Sequence, residues 1–279
     1  GYSNTTGSDN IFIGMKGGYN NTTGCNNTFI GCNAGLENTT GSYNIAIGRR
    51  AAQFNTTGIH NTTLGYYAGR FWGNNYADSF RNIFIGACAG YGQYGVSSGR
   101  DNIILGHKAG YCTEENIISN IFIGKCTGYH NGTANNIFVG DCAGFNTTYG
   151  NENIFIGDMA GLCNTTGYYN NFLGAEAGIR NTTGYYNTFL GSFAGARNTT
   201  GNYNVFIGGK AGFYNTTGQK NVFLGTWTGK CNTGDSNFFV GCCAGKENTG
   251  SYNNFIGFFA GAYNTGNDNF FVGVCAGQN

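Results

Sequence analysis

The side chains able to do chemistry here are eleven Cys, three His (His60, His107 and His130), thirteen Asp or Glu, and the amides of a recurring Asn-Thr-Thr. Zinc would need clustered donors, and the sequence has no His-Glu-x-x-His, no Cys-x-x-Cys and no paired Cys/His set. A calcium β-roll would need aspartates in every turn, but the acidic residues do not recur in phase. There is no phosphate-cradling Gly loop ending in Lys-Ser/Thr and no nucleophile elbow. Catalysis, a metal and a cofactor are therefore not expected. Two chemistries remain. Asn4, Asn21, Asn38, Asn55, Asn164, Asn181, Asn198 and Asn215 begin Asn-Thr-Thr and match N-glycosylation acceptors. A stacked turn rich in β-prone Thr would select the same residues, and Asn232, Asn248 and Asn264 keep the turn without the acceptor pattern.

These groups are spaced by a repeat. Asn10-Ile11-Phe12-Ile13-Gly14 is the first of sixteen copies, down to Asn269-Phe270-Phe271-Val272-Gly273, in steps of 16 to 21 residues. We number each unit from that final, anchor Gly. Position −4 is always Asn, −1 is always Ile, Leu or Val, and −2 is Phe except at Ala46, Thr63 and Ile104. Position +3 is mostly Ala. Gly recurs at +4, where Ala52 is the exception, and usually at −7.

One short unit over a whole chain is a stacked array. Three Gly corners per unit, joined by short β-prone segments too short for helices, predict an all-β parallel β-solenoid of about sixteen coils with three short strands each. With about 4.8 Å per coil, the array would form a rod about 75–80 Å long. It is expected to be a single uncapped repeat domain, 1–279, with longer coils near 70–80 and 92–100. In this geometry the −4 residues, among them Asn10, Asn27, Asn44, Asn136, Asn153, Asn204 and Asn253, should form a ladder, since an amide both donates and accepts. Successive strand residues face opposite ways. One of the Phe and aliphatic columns therefore fills the core, and the other should lie outside, where it suits lateral packing against another chain.

Stacking also brings thiols together. Cys88, Cys126, Cys142, Cys243 and Cys275 share position +2. Cys126 and Cys142 fall in neighbouring coils, about 4.8 Å apart, close enough for a disulfide, although free thiols in a packed groove fit as well. A disulfide would imply an extracellular setting. The two long coils carry Phe71, Trp72, Tyr76 and Tyr94, aromatics that on a surface loop could bind a glycan or a cell-surface ligand, or that could pack as a bulge with no ligand.

The net charge of +1 gives no overall footprint for nucleic acid or an acidic membrane, and no apolar run is long enough to span one. The chain starts at Gly1 rather than Met, which fits a processed chain or a segment of a longer one. Gly277 holds the +4 phase, and Gly1 holds the +4 phase of a missing preceding unit. A second copy is thus expected to continue the stack.

The repeat Asn-x-Phe-Ile-Gly-x-x-Ala-Gly resembles the head repeats of trimeric autotransporter adhesins. It is similar also to short repeats of bacterial surface proteins and phage-type fibres. The resemblance implies a left-handed roll, trimerisation and an adhesive role at a cell or virion surface. This chain departs from the adhesin heads in carrying Phe where they have a small Ala. The sequence therefore leads to an extracellular structural solenoid that assembles end to end. A receptor-binding head is the first alternative and an ice-binding solenoid the second; the adjacent Thr5 and Thr6 do not suit the flat two-dimensional array ice requires.

Overall fold

The computed structural model describes residues 1–73, 79–93, 98–113 and 117–278. The fold is an all-β parallel β-solenoid, and the described residues contain no helix. The chain divides into two compact units, Gly1–Cys142 and Ala143–Asn279.

In the first unit the strands Ile11–Ile13, Thr28–Ile30, Ile45–Ile47, Thr62–Leu64, Ile83–Ile85, Ile103–Leu105, Ile121–Ile123 and Ile137–Val139 pair side by side in chain order, all parallel. Register follows the repeat position for position: Phe12 sits opposite Phe29, and Thr63 opposite Phe84 across the 21-residue coil. The extra length of the long coils leaves that register untouched. Positions −7 and −6 before Gly86, Gly106 and Gly124 form a second small parallel sheet, Ser79–Phe80, Gly99–Arg100 and Ile117–Ile118. The second unit stacks Ile154–Ile156, Asn171–Leu173, Thr188–Leu190, Val205–Ile207, Val222–Leu224, Phe238–Val240, Asn254–Ile256 and Phe270–Val272 in the same way.

Alternation along each three-residue strand sends −2 inward and −3 and −1 outward. The inward column is Phe. From Phe155 to Phe271 the second unit holds an unbroken file of stacked rings with centroids 4.7–5.0 Å apart. Burying each such ring contributes on the order of 2–3 kcal/mol. The +3 Ala column is buried alongside it. The aliphatic −1 column is the outer one.

The coil has one strand in the long sheet, not three. The reason is backbone handedness. In nearly every coil non-glycine residues at −5 and +2 adopt left-handed conformations, such as Tyr186 (φ 53°) and Lys210 (φ 59°). A left-handed residue ends a strand. The remaining sides of the coil still bond to the next one, as in Gly195 N–H to Ala211 C=O and Thr182 N–H to Thr199 C=O, but in turn geometry.

Two of the Gly columns are fixed by close approach. A Cβ on Gly208 (φ 132°) would lie 2.5 Å from the carbonyl oxygen of Gly225, and one on Gly178 (φ 56°) would lie 2.4 Å from the Phe172 ring. The second contact explains the exception at +4. Ala52 belongs to the coil whose −2 residue is Ala46, so no ring occupies the space its methyl takes.

Candidate interaction surfaces

The asparagine ladder runs through each unit. In the first, Oδ1 of Asn10, Asn27, Asn44, Asn61, Asn82, Asn102 and Asn120 each accepts the backbone N–H of the next Asn in the column. In the second, the same bond links Asn153 through Asn269. Nδ2 donates to the −7 Gly carbonyl, as from Asn187 to Gly201 at 2.9 Å. A buried amide whose groups are matched in this way is structural.

A second ladder lies at −10. Nδ2 of Asn181 donates both to Oδ1 of Asn164 and to the Gly184 carbonyl; Asn21, Asn38, Asn198 and Asn215 repeat the pattern, and Asn232, Asn248 and Asn264 extend it. Asn55 and Asn164 donate to the Gly58 and Gly167 carbonyls in the same turn. These side chains are buried, apart from Asn4 and Asn264 at the outer coils. On Asn21, Asn38, Asn181, Asn198 and Asn215 both amide hydrogens are engaged, so a glycan there would displace bonds that hold adjacent coils together. The first Thr of the turn is engaged too: Thr182 Oγ1 donates to the Thr199 carbonyl at 3.0 Å. The second Thr, such as Thr183, is exposed.

The outer sheet face carries two columns, −3 and −1. The −1 column is wholly aliphatic, and neither column contains a charged residue. Ile47, Leu64, Ile85, Ile123, Ile156, Leu190, Ile207 and Ile256 are all exposed.

The turn face, positions +1 to +6, carries most of the cations. In the first unit Arg70 lies 4.5 and 4.6 Å from the Phe71 and Tyr67 ring centroids. It also donates to Gln53 Oε1 and the Tyr91 hydroxyl. Tyr91, Tyr111 and Tyr129 stack with centroids 4.8 and 5.1 Å apart. Burial, together with the neighbouring Cys112 and Tyr111, pushes the Tyr129 hydroxyl up to about 12. In the second unit Lys210 and Lys230 both lie over the Trp227 ring, and Ile179, Arg180, Phe193 and Arg197 line a shallow groove.

The long-coil aromatics separate. Phe71 is half-buried and stacks on Phe54. Trp72 is not a surface residue: it is 2 % exposed and packs on Phe84, filling the core beside Thr63, where a Phe is missing. Tyr76 and Tyr94 lie outside the described residues. Cys126 and Cys142 do occupy equivalent places in consecutive coils, and Cys142 N–H donates to the Lys125 carbonyl. No disulfide joins them, which leaves packed thiols, the other arrangement the spacing allowed. The +2 corner is left-handed at both residues, φ 54° each, and that corner sets where the two Cβ atoms point. The histidines sit in three different columns, −5, +1 and +6, and are not brought together. Among the described residues no group of three or more His, Cys, Asp or Glu is placed to hold a metal ion.

Comparison with family models, with curated proteins and with solved structures finds no match to this chain.

Proposed function

We propose that this protein is a structural β-solenoid, a building block of a fibre or surface appendage that lengthens by adding copies of itself coil on coil. What carries the reading is the sameness of the coil-to-coil contact. In the second unit a coil offers its successor the Asn acceptor, the Gly column and the Phe ring face that its predecessor offered to it, and the first unit keeps the Asn acceptor and the anchor Gly column even where Ala46, Thr63 and Ile104 replace the ring. A contact repeated by one operator that does not close makes an open filament.

Several observations support the reading. Most buried Asn side chains bond to one another in ladders rather than gathering at a site. The uncharged outer columns favour side-by-side association of copies as well. The likeness of the repeat to adhesin heads and fibre repeats favours an extracellular or virion-surface setting. In this reading the chain carries no reaction.

The test is electron microscopy of the purified chain, with sedimentation velocity over a concentration series. Linear particles that lengthen with concentration are expected. Discrete particles one chain long at every concentration would overturn the proposal.

A further inference from the structure

We infer that the turn face of the first unit binds a linear anionic polysaccharide. Over the five coils anchored at Gly48, Gly65, Gly86, Gly106 and Gly124, positions +1 to +6 hold Arg49, Arg50, Arg70, Lys108 and Lys125 and no Asp or Glu. In a chain of net charge +1 this is a segregation of charge onto one face, and a single-signed surface concentrates ligands of opposite sign. The inference stands independently of the fibre reading.

Among the described residues the cations are held in place without an ion pair. Neither ion pair among the described residues, Arg81–Asp101 nor Lys246–Glu247, involves them. Asp141 borders the patch at its far end, where it accepts the backbone N–H of Lys125. Arg50 donates to the Tyr67 hydroxyl at 2.9 Å, Arg49 lies over Tyr66, and Lys108 lies over Tyr111. Rings and hydroxyls orient a cation but leave its charge in full.

The ligand class follows from what the aromatics present. A single-stranded nucleic acid needs open ring faces for base stacking. Here the faces are taken: Tyr111 lies between Tyr91 and Tyr129, and Phe71 is covered by Phe54 and Arg70. Hydroxyls and guanidinium N–H groups remain, donors suited to carboxylate or sulfate oxygens. These donors recur at the coil spacing of about 4.8 Å, so they match a polymer with an acidic group at regular intervals rather than one small anion.

The test uses the full chain and fluorescently labelled polygalacturonate, heparin, dextran and oligo-thymidylate, titrated across a salt series. Binding to one or both acidic polysaccharides and not to dextran is expected, and the pair distinguishes carboxylate from sulfate recognition. The double variant Arg49→Gln/Lys108→Gln should weaken binding about tenfold or more near physiological salt and lower the salt slope by about two. Arg180→Gln/Arg197→Gln, two cations on the turn face of the second unit, should leave affinity unchanged. No binding at low salt, equal loss from the control pair, or tighter binding to oligo-thymidylate than to either polysaccharide would each overturn the inference. Circular dichroism of both variants separates lost binding from lost fold.

Discussion

At the scale of the residue, Asn187 shows what the −4 position does. Its Oδ1 accepts both the backbone and side-chain N–H of Asn204, and its Nδ2 donates to Asn170 Oδ1 and to the Gly201 carbonyl. Asn187→Ala would strand buried groups on two neighbouring coils, at a cost of about 3 kcal/mol or more. Chemical denaturation should show this, and an unchanged midpoint would mean that the ladder bonds are replaced by water. The role of this column was legible from Asn recurring at one phase in every unit. The −10 column was harder to read, because Asn-Thr-Thr serves a buried turn and a glycan acceptor equally well by spelling. Asn232, Asn248 and Asn264 held the clue, since they keep the Asn after the second Thr is gone. The left-handed corners were not legible at all. Tyr186, Lys210 and their equivalents share a backbone conformation but not a residue type, so no sequence column marks them.

At the scale of the element, each coil is a matched set, and its exceptions are matched too. Ala46 and Ala52 depart together from the Phe and Gly of their columns. A ring at 46 would meet the methyl of Ala52 as the Phe172 ring would meet a Cβ on Gly178. Ala46→Phe alone should therefore destabilise by about 1–3 kcal/mol, and adding Ala52→Gly should recover part of it. Thermal melts of the two single variants and the double variant measure the coupling, and strict additivity would refute the pairing. The neighbouring coil lacks a Phe at Thr63 and draws Trp72 inward from its insertion instead. Composition left both a surface aromatic and a packed bulge open there. The missing −2 Phe one column away was the available sign that the core had room for it.

At the scale of the whole molecule, the solenoid was written in the period of the sequence, whereas the face that gathers charge was not. A net charge of +1 averages over columns that only folding separates, so the cationic turn face emerged once +1, +2 and +5 were seen to share a side. The aliphatic columns make a separate prediction. Leu190→Lys/Ile207→Lys sets two like charges about one coil spacing apart on an outer face that has none. Side-by-side association of copies should be lost while the thermal unfolding transition stays in place. Persistent lateral association, read by light scattering at matched concentration, would place the contact elsewhere.

The asparagine ladders also have a direction. In both columns and both units the later Asn donates its amide hydrogens and the earlier one accepts, so the side-chain dipoles point one way, each of peptide size at about 3.5 D. A stack of coils therefore carries a vector in its Asn columns, which present Nδ2 donors toward the preceding coil and Oδ1 acceptors toward the following one, while the backbone presents both donors and acceptors on each face. Two stacks meeting by the same face would set their Asn columns acceptor against acceptor or donor against donor. Any fibre built this way has a barbed sense, with ends that exchange subunits at different rates, and two fibres lying side by side have to choose between running parallel and running opposed.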